Sequence, residues 1–368
     1  MTRHQPRPRP TGPAPGGEPA PPGEPAPTLA EMTTLRVGGP ARQVITVDTD
    51  DDLVEVVRSA DAAGEPLLLV GGGSNLLVAD AGFPGTVVRI GTRGVRVEPL
   101  GPGQVRVQVR AGEPWDAFVA SAVESGWSGV EALSGIPGSC GATPIQNVGA
   151  YGAEVAQVID SLEVLDRRTG AVSRMLPGEA GFGYRSSALK AARGRWVVLS
   201  VSMDLTVDPW GAPVGYAELA GLLGVELGER APAASVREAV LELRRGKGMV
   251  LDAADHDTWS AGSFFTNPII TQVEADTLPA GAPRFAQPDG SVKTSAAWLI
   301  SHAGFPRGYA LRPGARAALS TKHSLALTNR GGATAEDLLE LARAVRAGVA
   351  EQFGILLDNE PVLVGCAL

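Results

Sequence analysis

Leu133-Ser134-Gly135-Ile136-Pro137-Gly138-Ser139-Cys140-Gly141-Ala142-Thr143-Pro144-Ile145-Gln146-Asn147-Val148-Gly149-Ala150-Tyr151-Gly152 is a run of glycine, proline, small residues and amides. Neither strand nor helical periodicity survives in it. A structureless loop of about 20 residues is uncommon inside a compact domain and is usually functional. Glycine exposes backbone N–H and C=O groups here, and Ser139, Thr143, Gln146 and Asn147 supply polar arms. That set suits the many acceptors of a flavin ring and a pyrophosphate, although spacing alone names no ligand.

A second glycine-rich stretch, Gly71-Gly72-Gly73-Ser74-Asn75, directly follows the apolar strand Leu67–Val70. By itself it reads first as a tight turn between strands, with an anion nest as the functional alternative. It lacks the third glycine and the following helix of a Rossmann dinucleotide site. Two such loops in one region favour a large dinucleotide over a smaller ligand.

Around the loops, strands are expected at Gln43–Val47, Thr86–Ile90, Val105–Val109, Ser161–Leu165 and Trp196–Leu205, and helices at Asp51–Ala60 and Trp115–Ser125. Further helices are expected at Ser235–Arg245, near Ser295–Ser301, and at Ala335–Phe353, where Leu338, Leu341, Val345, Val349 and Phe353 form one stripe. A C-terminal strand is expected to carry Glu360. Residues 1–29, with ten prolines before residue 28, read as a disordered arm; residues 30–206 and 207–368 read as two further units.

Of 368 residues, 44% are hydrophobic and 20% charged, which suits a soluble globular protein of two or three domains. A net charge of −8 excludes a broad surface for nucleic acid or anionic membrane, so any anionic ligand must be met by a few local cations. Two cysteines and four scattered histidines offer neither a disulfide framework nor metal-ligand spacing. Cys140, inside the loop, reads as a small buried hydrophobe, with no second cysteine nearby to resolve a disulfide. No apolar run approaches the roughly 20 residues of a membrane span, and the N-terminus lacks a signal-peptide core. A cytoplasmic, monomeric protein is expected.

Eight stretches in order then carry a resemblance. They are Thr34–Gly39, Gly71–Leu76, Ile136–Gly152, Phe182–Ser187, Ala261–Pro268, Asp289–Lys293, Ser320–His323 and Leu357–Pro361. Residues 33–368 resemble the UDP-N-acetylenolpyruvoylglucosamine reductases (UDP-N-acetylmuramate dehydrogenases, the MurB family) of peptidoglycan precursor synthesis. The resemblance implies an α+β fold: a vanillyl-alcohol-oxidase/PCMH-type FAD-binding domain of two α+β subdomains, with a smaller C-terminal α+β substrate-binding domain. It implies noncovalent FAD, NADPH as co-substrate, and a small-molecule UDP-sugar substrate.

FAD contacts are implied from Arg36 and from Gly71, Gly72, Gly73, Ser74, Asn75 and Leu76. The second loop would add Ile136, Pro137, Gly138, Ser139, Gly141, Ala142, Thr143, Gln146, Asn147, Gly149, Ala150, Tyr151 and Gly152. Catalytic positions map onto Arg185, Ser263 and Glu360: a guanidinium fork for the substrate carboxylate, a proton donor, and a carboxyl whose pKa must be raised. Out of context each has a plainer reading, as a salt-bridged arginine, a capping hydroxyl and a surface glutamate. Tyr216, Lys247, Asn267, Lys293 and His323 are implied as substrate contacts, and no metal is. Two other readings of the same residues are a sugar or alcohol oxidase on this flavin fold and a nucleotide-sugar sensor. No histidine between His4 and His256 could tether a flavin near the first loop, and a sensor needs no proton donor.

Overall fold

The computed structural model describes residues 27–368. Most of the expected arm lies outside the described residues. Its last residues are held: Ala41 N donates to Pro27 O, Thr28 bridges Pro40, and Leu29 is buried.

Ala41–Val47, Phe83–Ile90 and Leu67–Val70 form a parallel three-stranded sheet with Phe83–Ile90 in the middle. Helix Asp50–Ala63 covers it, started by Thr49, whose hydroxyl accepts from Asp52 N, and stopped by left-handed Gly64. The second sheet is antiparallel, in the order 171–175, 159–166, 196–207, 104–110 and 95–101, with Trp127–Ser128 added to the long strand. Strand Gln104–Arg110 alternates cleanly, with Val105, Val107 and Val109 inside and polar residues between them. Strand Trp196–Val207 does not alternate at its start, because it serves two cores. Val197 and Leu199 pack toward helix Asp50–Ala63, whereas Val198, Val201, Met203 and Leu205 pack with Trp115 and Phe118.

That strand runs to Val207, through the expected division at 206/207. Helices Ala217–Leu223 and Ala233–Gly246 then pack back on the flavin-loop side, sharing a small core with Ala132 and Tyr151. A separate core forms between residues 264 and 357, where helices Ala296–His302 and Ala335–Phe353 enclose Phe264 and Phe265. Each ring is 1% exposed, a burial worth about 1.5–3 kcal/mol per side chain. Leu35, Val37 and Leu77 from the N-terminal half belong to this same core.

Helix Ala335–Phe353 buries Leu338, Leu341, Val345 and Val349 as expected, with Phe353 only partly covered. Thr334 and Asp337 form its capping box, and Asp80 reaches across to accept from Ala335 N and Glu336 N. The C-terminal strand is Val362–Val364, so Glu360 lies just before it rather than on it. That strand pairs in parallel with Leu76–Val78, the segment leaving the first glycine-rich loop.

Asn329 ties the two halves together. It is 2% exposed; Nδ2 donates to Leu35 O and Arg36 O, and Oδ1 accepts from Gly331 N and Ala333 N. Asn329→Ala leaves all four groups unpaired in a buried place. We expect a loss of about 3 kcal/mol or more in urea unfolding; a loss within error of zero would mean that water replaces the amide.

Candidate active site

The long irregular loop has one shape because its backbone is clamped to regular elements. The buried indole of Trp115 donates to Leu133 O at 2.9 Å, and Trp115 N donates to Gly138 O at 3.0 Å. Cys140 N and Gly141 N donate to Glu113 O and Ala111 O, each at 2.8 Å.

The first glycine-rich loop lies directly against it. A Cβ on Gly71 would stand 2.2 Å from Ser139 Oγ, and one on Gly72 would stand 2.6 Å from Gly138 Cα. Only bare backbone lets the two strands of the cradle approach this closely. Ser74 Oγ donates to Pro137 O at 2.9 Å, and Asn75 Nδ2 donates to Gln146 Oε1 at 2.8 Å. Backbone amide groups unencumbered by side chains suit the diphosphate of a dinucleotide, so these residues fit FAD.

Not every expected polar arm faces outward. Thr143 and Asn147 are 3% and 1% exposed. Thr143 Oγ1 donates to Cys140 O; Asn147 Nδ2 donates to Glu154 Oε2 and Gly183 O, and its Oδ1 accepts from Ala156 N. Their side chains hold the loop's own shape, because amides and hydroxyls buried in an irregular loop must satisfy its stray backbone groups first. The Tyr151 side chain turns toward the expected substrate contacts. Its ring meets Tyr216 edge-on at 5.4 Å, and Lys247 Nζ lies 5.5 Å from its centroid. Arg36, in a left-handed conformation, stacks its guanidinium 3.9 Å over Trp259.

Arg185 and Glu360 meet, and the chain at Glu360 runs beside the segment that carries Ser263. Gly183 and Ser186 bond each other reciprocally, leaving Tyr184 and Arg185 at the tip of a two-residue turn. From there Arg185 Nε lies 3.4 Å from Glu360 Oε1, and Nη2 donates to Gly149 O at 2.6 Å. Glu360 N donates to Phe264 O at 2.8 Å, which seats the Glu360 backbone beside the Ser263 segment. Ser263 Oγ lies 3.5 Å from His323 Nε2. Gln146 Nε2 reaches Glu360 Oε1 at 3.4 Å, and Asn75 Nδ2 reaches Glu360 O at 3.4 Å, so both glycine-rich loops touch the same glutamate.

The electrostatics favour neutral forms. Burial pushes the Glu360 carboxyl above its ordinary range, against the opposing pull of Arg185 and Lys190. The ion pair and the raised pKa point in opposite directions; desolvation outweighs a 3.4 Å contact to a guanidinium already shared with two carbonyls. Burial likewise lowers His323 to about 4, helped by Lys247, Arg307 and Arg244, so its ring is uncharged at neutral pH. Burial pushes the Cys140 thiol up, which makes it inert.

Of the five expected substrate contacts His323 lies against Ser263, and the other four fall into two groups flanking this centre. Lys293 Nζ lies 4.6 Å from the Tyr184 ring, and Asn267 lies close to the Tyr184 hydroxyl. Lys247, Tyr151 and the exposed Tyr216 form the other, with Lys247 Nζ bound to Glu218 at 2.5 Å. Sequence reading missed Arg244. It is 8% exposed, its Nη2 donates to Met249 O, its Nε has no partner, and no carboxylate pairs with it among the described residues. Burial holds it at about 10, still protonated at neutral pH, against Gly135 of the flavin loop. In sequence it is one of two adjacent arginines, with nothing to mark the inward one. Two clefts of about 440 and 570 Å³ lie on the outer face of the antiparallel sheet and beside Asp50; none of Arg185, Ser263 and Glu360 lines them.

No group of histidine, cysteine and carboxylate side chains suited to a metal occurs among the described residues. No described helix is long and apolar enough to cross a membrane. The family model of an FAD binding domain matches residues 41–175, the part that carries both glycine-rich loops. Loops, α+β fold and match together define a flavin-dependent oxidoreductase.

The particular family follows from the rest of the chain. The model of the UDP-N-acetylenolpyruvoylglucosamine reductase C-terminal domain matches residues 254–364. Curated reductases of that name from Cutibacterium acnes and Saccharopolyspora erythraea are 54% and 55% identical, over 92% of this chain and 90% and 95% of theirs. The crystal structure of such a reductase from Thermus caldophilus superposes with a TM-score of 0.62 at 29% identity, covering 92% of this chain and 97% of that one. The chain belongs to the UDP-N-acetylenolpyruvoylglucosamine reductase family.

Two measurements check the site. Gly72→Ala should part the loops and weaken FAD binding at least about 10-fold in a fluorescence titration; unchanged affinity would place the flavin elsewhere. For His323, the ordinary 6.5 falls to about 4 on folding, so the unfolded chain takes the proton first as pH drops. Stability from this group is complete above 6.5 and is lost toward 4, by up to about 3 kcal/mol. Melting curves of wild type and His323→Gln across that range should therefore converge with acidification, and parallel curves would contradict it. Glu360, with its raised pKa, acts oppositely but equally in both proteins.

Proposed function

We propose that this chain reduces UDP-N-acetyl-3-O-(1-carboxyvinyl)glucosamine to UDP-N-acetylmuramate with NADPH, for peptidoglycan precursor synthesis. When bound, FAD supplies a carrier that takes hydride from NADPH and passes it from N5 to C3 of the enolpyruvyl group. Hydride arriving at C3 leaves an electron pair on C2, conjugated with the adjacent carboxylate. The protein must then stabilise that charge and deliver one proton to C2.

Arg185 holds the substrate carboxylate in its planar fork, a grip that tightens as charge builds. Its side chain is already oriented by Gly149 O and Asn147 O. Ser263 gives its hydroxyl proton to C2. The uncharged His323 ring, 3.5 Å from Ser263 Oγ, is within reach to return a proton to the serine oxygen through its N–H tautomer. Glu360 assists only if neutral, since a carboxylate would repel the developing enolate, and its burial favours that form. Lys293 with Tyr184 and Asn267, and Lys247 with Tyr151 and Tyr216, line the two approaches suited to a nucleoside diphosphate sugar.

The observation that carries this reading is the Arg185–Glu360 contact, seated beside the Ser263 segment through the Glu360 N to Phe264 O hydrogen bond. Anaerobically, NADPH should bleach the flavin band near ~450 nm and the enolpyruvyl UDP-sugar should restore it. Glu360→Gln and Ser263→Ala should bleach at the wild-type rate and recover about 10²–10⁴-fold more slowly. Equal loss in both half-reactions would overturn the assignment, and rapid recovery with oxygen alone would make the protein an oxidase.

A further inference from the structure

Arg185 sits in a backbone conformation that its side chain does not favour. Its φ is 51°, at the second tip position of the Gly183–Ser186 turn, where glycine is the usual residue. For a residue with a Cβ this conformation costs about 1–2 kcal/mol, and it persists only where the surroundings fix it. The turn cannot relax without swinging the guanidinium away from Glu360, so something must hold it.

Two residues of the neighbouring short helix, Ala188–Ala191, do so. Ser187 caps that helix, accepting from Lys190 N at 3.1 Å, and its own hydroxyl donates to Ile145 O of the flavin loop. The helix is thereby fixed to the loop that also binds the Arg185 guanidinium. Lys190 then curls back, and its ammonium donates to Arg185 O at 2.9 Å. A half-buried ammonium with a backbone carbonyl as its partner is an expensive arrangement unless it serves a geometric purpose. No carboxylate forms an ion pair with Lys190 among the described residues.

We propose that Lys190 is a positioning residue: its hydrogen bond to Arg185 O locks the left-handed peptide that aims the guanidinium at Glu360 and the substrate carboxylate. It has a second consequence through charge. The charged or titratable groups that face Glu360 are Arg185 and Lys190, with Tyr184 beside them; those that face Lys190 are Glu360, Arg185 and Arg193. Lys190, like Arg185, pulls the Glu360 carboxyl toward its ionised form, against the burial that favours the neutral one. Losing Lys190 moves Glu360 further toward the protonated form.

This inference rests on the proposed role of Arg185, so the experiment includes a readout that does not depend on turnover. In FAD-loaded protein, the infrared carboxyl band of Glu360, assigned by its absence in Glu360→Gln, should persist to higher pH in Lys190→Met than in wild type. Reoxidation by the enolpyruvyl substrate should slow roughly 10- to 100-fold in Lys190→Met, because a misaimed Arg185 fork outweighs the fuller protonation of Glu360, with reduction by NADPH unchanged and with Lys190→Arg recovering most of the rate. An unshifted carboxyl band together with a wild-type reoxidation rate overturns the inference. So does equal slowing of both half-reactions without rescue by Lys190→Arg, which would mark a purely architectural lysine. If wild-type flavin is not reoxidised by that substrate, the proposed function falls, and the infrared comparison still decides whether Lys190 governs Glu360.

Discussion

The parallel pairing of Val362–Val364 with Leu76–Val78 is the constraint on which the site depends. It joins the exit of the first glycine-rich loop to the far end of the chain, and Val362 N donates to Asn75 O. Parallel pairing of such short segments is weak by itself. It is enforced from both sides, by the core that encloses Leu77 together with Phe264, Phe265 and Leu357, and by Asp80 capping helix Ala335–Phe353. A shift of register there would carry Glu360 away from Arg185, Gln146 and Asn75 together.

Within that frame the chemistry comes from burial. A carboxyl and an imidazole are both driven toward their uncharged forms by desolvation, while Arg244 keeps its charge. The centre thus sets guanidinium groups close to a carboxyl and an imidazole that burial favours in their neutral forms. That combination suits a reaction which builds negative charge on a carboxylate-bearing fragment and ends by placing a proton on carbon. The cost is a set of buried polar groups with few protein partners, of which Arg244 Nε is the clearest.

The glycine-rich loops show why a large irregular segment can be rigid. Their ordering entropy is offset by clamps on either side: Trp115 at Leu133, Ala111 and Glu113 at Gly141 and Cys140, and the inward amide of Asn147. Side chains that look like ligand arms are used to hold the loop, which frees its backbone to meet a ligand. The left-handed turn at Arg185 follows the same logic, with strain at the working residue and the restraint supplied by its neighbours.

Several features were legible in the residues alone because they are encoded within a few positions of each other. The alternation of Val105, Val107 and Val109, the stripe along Ala335–Phe353 and the glycine content of both loops each follow from local geometry. Motif order then named the family and singled out Arg185, Ser263 and Glu360. Tertiary structure alone decided that Thr143 and Asn147 turn inward, that Tyr151 joins Tyr216, that Glu360 precedes its strand, and that Arg244 and Lys190 belong to the centre. The physical reason is separation along the chain. Asn75 and Glu360 are 285 residues apart, and whether they touch depends on sheet register and on which side chains satisfy buried backbone groups. Periodicity carries no record of either.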